Sequence, residues 1–158
     1  MTRTIALILF AAGSAHAQQQ PPKFGCEDAP ATRQLDFWIG EWEVRVTGTT
    51  NVAGSSSIQL INGGCTVLEN WTGGRGGVGK SFNFYNPSTK RWHQTWVDNA
   101  GGMAFFTGGF SDRAMRFDDG EQVNRNGSVS KVRLTFFHVA ADTVRQLGEN
   151  LAPDGKTW

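Results

Sequence analysis

The sequence predicts an all-β domain: an antiparallel up-and-down barrel of about nine to ten strands behind one short N-terminal helix. Three observations carry this reading. Short runs of alternating apolar and polar residues recur along the chain, no long helical pattern separates them, and twenty glycines supply tight turns. A two-sheet sandwich is the other arrangement open to the same strands.

The N-terminus reads as an export signal. Met1-Thr2-Arg3-Thr4 carries one positive charge, residues 5–13 are an unbroken apolar run, and Ala15-His16-Ala17 has the A-x-A form. Together they predict a signal peptide over residues 1–17, cleaved between Ala17 and Gln18, and a secreted or periplasmic protein. The run is far shorter than the roughly 20 residues that span a bilayer, so no stable membrane anchor is expected. Residues 18–27, opening QQQPPK, form a flexible lead-in, and residues 28–158 suffice for a single domain.

Asp28 as N-cap and Pro30 in the first turn predict a short helix over residues 30–37, stopped near Gly40. From Glu41 the period becomes two. Trp42, Val44 and Val46 share one face, and Glu41, Glu43, Arg45 and Thr47 the other. Further strands are expected at residues 57–62, 65–72, 80–85, 91–97, 103–110, 114–118, 131–139 and 143–149, each ended by turn residues. Pro153-Asp154-Gly155-Lys156 is one more turn, and Thr157-Trp158 reads as the opening of another strand. A barrel needs that strand to cover its first edge. The expectation is therefore a fragment lacking its closing strand, with a barrel left open as the alternative.

Loss of Arg3 with the signal peptide balances the charge, and no basic stripe is visible, so no nucleic-acid partner is expected. Nothing in the sequence specifies an oligomeric state. Cys26 and Cys65 are the only cysteines, and in an oxidising compartment they are expected to pair. Such a bond closes a loop of about 40 residues, worth roughly 3–4 kcal/mol in the chain-entropy model. Two buried free thiols are the alternative. No second ligand stands at CxxC spacing, so no metal site is expected, and no cofactor either.

Residues 74–81, GRGGVGKS, match the phosphate-binding pattern G-x-x-x-x-G-K-[ST]. A phosphate cradle requires a helix after the loop. Here Ser81-Phe82-Asn83-Phe84-Tyr85 alternates like a strand and Pro87 follows, so a hairpin loop at the mouth of the sheet is predicted instead.

Three segments concentrate polar groups among aromatics: Glu69-Asn70-Trp71, residues 91–98 (RWHQTWVD), and Thr143-Val144-Arg145-Gln146. Alternation places Trp92, Gln94, Trp96 and Asp98 on one face, with Arg91, His93, Thr95 and Val97 on the other. If the first set faces inward, it walls a cavity with tryptophan, an amide and a carboxylate. The alternative is that these tryptophans are simply core. Glu69 shares a face with Trp71 and would enter the same cavity, partnered by Arg145 or by Gln146 according to register. The candidate ligand-binding set is thus Trp42, Glu69, Trp71, Trp92, Gln94, Trp96, Arg145 and Gln146. His93 falls opposite Trp92 and Trp96, and His138 lies in a core-like stripe with Val132, Leu134 and Phe136. No nucleophilic triad is legible.

Residues 35–44 (LDFWIGEWEV) resemble the short helix, glycine and tryptophan that open the first strand of calycin barrels such as lipocalins, fatty-acid-binding proteins and nitrobindins. With residues 62–65 (NGGC), Glu69-Asn70-Trp71, residues 79–85 (GKSFNFY) and residues 91–98, the set resembles a family of secreted bacterial proteins defined by a domain of unknown function. The likeness spans residues 35–158. It implies a calycin-like barrel with an internal cavity and a further closing strand. The nitrobindin likeness covers only the opening helix and strand, so haem binding does not carry over to His93 or His138. Binding of a small apolar or amphipathic ligand is the function expected. A hydrolase or isomerase using Glu69 with a histidine or Asp98, and an envelope interaction protein with an open edge strand, are the alternatives.

Overall fold

The computed structural model describes residues 25–158. The expected signal peptide and the first part of the expected lead-in lie outside the described residues. The short helix expected over 30–37 is present as 3-10 helix in two pieces, Pro30–Arg33 and Asp36–Trp38. Ala29, not Asp28, occupies the cap position and makes no side-chain cap. The Thr32 hydroxyl bonds back to the carbonyls of Cys26 (2.7 Å) and Ala29 (2.8 Å), a local alternative to continued helix. Leu35, at ψ 5°, separates the two turns.

Nine strands follow. They are β1 (Gly40–Arg45), β2 (Val52–Ile61), β3 (Thr66–Gly73), β4 (Val78–Asn86) and β5 (Arg91–Asp98). The chain continues through β6 (Met103–Ser111), β7 (Ala114–Val123), β8 (Val129–Ala140) and β9 (Thr143–Asn150). All pair antiparallel in chain order, so the sheet is a simple meander with β1 and β9 at its edges. It curls into a half-barrel. Register shifts interrupt the β1–β2, β6–β7, β7–β8 and β8–β9 ladders, and such bulges increase local twist.

The concave side is plugged at one end. Leu35 and Trp38 pack there with Ile58, Val67, Trp92, Met115, Phe117, Leu134 and Phe136. Trp38 lies 4.4 Å from Phe136 between ring centroids, and Phe37 stacks on His138 at 5.0 Å. Cys26 and Cys65 form a disulfide across a separation of 39 residues. Beside it Cys26 N donates to Gly63 O at 2.7 Å, and the Arg33 guanidinium donates to Gly64 O. The segment carrying the plug is thereby fastened to the β2–β3 turn.

The GRGGVGKS stretch forms no phosphate cradle. Its glycines make the β3–β4 hairpin, while Lys80 and Ser81 stand within β4 with no helix after them. Lys80 reaches outward to Asn70, and Ser81 is fully buried on the concave side. At the other end of the chain Asp154 organises the 153–156 turn by accepting from the N–H groups of Lys156 and Thr157. Thr157 and Trp158 form no strand, and the Arg133 guanidinium lies over the Trp158 ring at 3.6 Å. Among the described residues no helix is long and apolar enough to cross a membrane.

Candidate functional site

Directly paired residues on neighbouring antiparallel strands point to the same face. Pairing therefore sorts the concave wall into rows running across the strands. One row runs Ile58, Glu69, Ser81, Trp96, Ala104, Gln122. The next towards the plug runs Val67, Asn83, Gln94, Phe106, Gly120, Val132, Asn150. On the open side the row is Trp42, Ser56, Trp71, Gly79, Asp98.

These rows enclose a cavity of about 570 Å³, within the usual range of small-molecule sites. Its wall includes Glu69, Trp71, Gln94, Trp96 and Gln146, with Phe106, Val132 and Leu134 as apolar lining. A second cleft of about 410 Å³ opens between the two sheet edges, where Trp42–Arg45 of β1 face Thr143–Gln146 of β9. Glu69, Trp71 and Gln146 border both spaces.

Glycines make the room. A Cβ on Gly79 would fall 2.3 Å from the Trp96 ring, and one on Gly120 would fall 2.5 Å from Phe106. Each aromatic ring thus packs against backbone that carries no side chain. Trp71 sits in the same way against Gly54.

Glu69 is the buried carboxylate of this wall, 7% exposed. Ser56 Oγ donates to Oε1 at 3.0 Å and Ser81 Oγ to Oε2 at 2.8 Å. Behind Ser81, Asn83 Nδ2 donates to its hydroxyl at 3.0 Å, and Gln94 Nε2 donates to Asn83 Oδ1 at 2.7 Å. Each of these groups gives one bond towards the carboxylate, and Asn83 Nδ2 gives its other to Val67 O at 3.1 Å. Burial pushes the Glu69 carboxyl above its ordinary value, and the hydroxyls of Ser81 and Ser56 pull partly back. No ion pair reaches Glu69 among the described residues.

Register decides between the partners considered for it. Gln146 pairs with Phe136 and faces the cavity, whereas Arg145 pairs with Phe137 and lies over that ring at 5.4 Å. Arg145 borders only the cleft between the edges. Trp42 also borders that cleft, its indole donating to Trp38 O at 2.8 Å. Trp92 shares a face with Gln94 and Trp96 but is buried in the plug, where its indole donates to Gln34 Oε1 at 3.0 Å.

Asp98 lines the cavity with its carboxylate already engaged. It accepts from the N–H groups of Gly102 and Ala100, each at 2.8 Å, and from the Trp96 indole at 3.4 Å. The Gly102 bond leads the contacts that hold this carboxyl below the usual range. His93 lies on the convex face, stacked on Phe84 at 5.4 Å, and His138 is held against Phe37. Neither histidine lines the cavity. Among the described residues no group of three or more His, Cys, Asp or Glu is placed to hold a metal ion.

Ser56, Ser81 and Asn83 were not among the residues expected from sequence. A signal existed: a hairpin mirrored about Arg75 sets Glu69 opposite Ser81 and Trp71 opposite Gly79. No protein-family model matches this chain, and no curated protein matches it.

Proposed function

We propose that this is an exported protein with the calycin-like barrel implied by the secreted bacterial family its sequence resembles, and that it binds a small apolar or amphipathic molecule in its cavity. One observation carries the reading: Glu69 of β3, Gln94 and Trp96 of β5, and Gln146 of β9 converge on one space. The walls set Trp71, Trp96, Phe106, Val132 and Leu134 beside Glu69, Gln94 and Gln146, a mixed surface that suits an amphipathic molecule. The plug and disulfide at one end, with the cavity towards the other, support a container with a fixed floor.

Titration with the neutral dye Nile red tests this. The expected result is saturable one-to-one fluorescence enhancement, lost when Ala104 in the cavity wall is enlarged by Ala104→Leu. Absence of enhancement, or enhancement indifferent to that substitution, would overturn the reading.

A further inference from the structure

We propose that the cavity selects a cationic amine, its ammonium seated against Glu69 between the faces of Trp71 and Trp96 and its apolar body lying along Phe106, Val132 and Leu134. The inference rests on the cavity being a small-molecule site and names the ligand class of that site.

The first support is unfilled acceptor capacity. An ionised carboxylate offers about four lone-pair positions, and two serine hydroxyls occupy one on each oxygen of Glu69. A buried carboxylate without a cationic partner is costly. The protein supplies none, since no described lysine or arginine pairs with Glu69. Arg133 is the only cation in the lining, and its guanidinium is stacked on Trp158.

The second support is the direction of the hydrogen-bond relay. Gln94, Asn83 and Ser81 each donate onward, so the wall's polarity ends on an acceptor. Gln94 Nε2 gives one of its two hydrogens to Asn83 Oδ1, and its carbonyl Oε1 stands as an acceptor on the cavity wall. A ligand complementary to this surface brings donors. A carboxylate or phosphate ligand would meet acceptors and like charge.

The third support is the aromatic flank. Trp71 stands two residues beyond Glu69 on β3, and Trp96 lies in the same row beyond Ser81. The Trp96 ring packs against Gly79, and the described arginines that lie over rings, Arg116, Arg133 and Arg145, do so on Phe137 and Trp158, not on these two indoles. Indole faces beside a carboxylate are a favourable setting for an ammonium.

Three ten-carbon probes that differ only in head group test the proposal: decylammonium, 1-decanol and decanoate, each titrated calorimetrically below its aggregation threshold. Decylammonium is expected to bind about tenfold or more tighter than decanoate, with decanol between. Glu69→Gln should remove that preference, bringing decylammonium and decanoate within about twofold of each other. Equal or tighter binding of decanoate to the unaltered protein overturns the amine assignment alone, because the cavity is then still a binding site. An ammonium preference that survives Glu69→Gln overturns it too. Failure of all three probes to bind overturns the cavity reading as well.

Discussion

The Trp96 ring packs against Gly79, where a Cβ would fall 2.3 Å from it. The pair sets the width of the cavity at its open side. Gly79→Ala should therefore push the indole inward and disturb its contact with Asp98. We expect a loss of about 1–3 kcal/mol in urea unfolding, as for overpacked cores. A changed tryptophan emission maximum should accompany it. Unaltered stability and emission would mean that the ring is free to move aside.

Trp92 and Trp96 are four residues apart on one strand face and should behave differently. Trp92→Phe removes an indole bonded to Gln34 inside the plug. Denaturation should register about 1–3 kcal/mol of destabilisation, while Nile red affinity stays within about twofold. Trp96→Leu should do the reverse, costing roughly tenfold in affinity through the lost cavity wall. Similar effects from both substitutions would erase the distinction between floor and site.

Glu69 should leave a mark on stability against pH. Its carboxyl is raised in the folded state, so between the ordinary value of 4.5 and the raised one the native protein binds more protons than the unfolded chain. Stability from this group is complete below that window and falls as pH rises through it. Comparing Tm against pH for the wild type and Glu69→Gln isolates the contribution. The variant should lack this decline and gain relative stability above the window. Parallel curves would contradict the assignment.

The disulfide joins residues 39 apart, for which the chain-entropy model gives about 4 kcal/mol. Replacing both cysteines by serine should lower unfolding free energy by up to that amount. Hydrogen exchange should rise first in residues 30–38, whose anchor to the β2–β3 turn is lost. An unchanged exchange pattern there would show that Arg33 and the Cys26–Gly63 backbone bond suffice alone.

The strands were legible because each carries its own alternation and its own turn. Trp42 and Val44 announced the concave face of β1, and the glycine-rich loop was recognisable as a hairpin from the F-N-F alternation after it. The short helix was legible in place from Pro30, but not its 3-10 type or its break, which follows the Thr32 hydroxyl bonding back to Cys26 and Ala29. Alternation gives the face of a residue but not its depth. Hence Trp92 and Trp96 looked equivalent, although one lies in the plug and the other in the cavity wall. Arg145 and Gln146 could not be separated until the β8–β9 pairing was known, since adjacent residues exchange faces with a one-residue slip. On β4 the pattern ran against hydropathy. Phe82 and Phe84 face outward and are exposed, while Ser81 and Asn83 turn inward to serve Glu69 and Gln94.

Because every strand pairs only with its chain neighbours, each ladder can form by closing one short hairpin. Loop-closure entropy is small at each such step, and non-local pairing is what ordinarily slows β proteins. The meander can thus zip from any hairpin outward, leaving the seating of Leu35 and Trp38 among residues from β2 to β8 as the distant search. That docking step, with the Cys26–Cys65 oxidation beside it, is where the folding rate of this protein should be set.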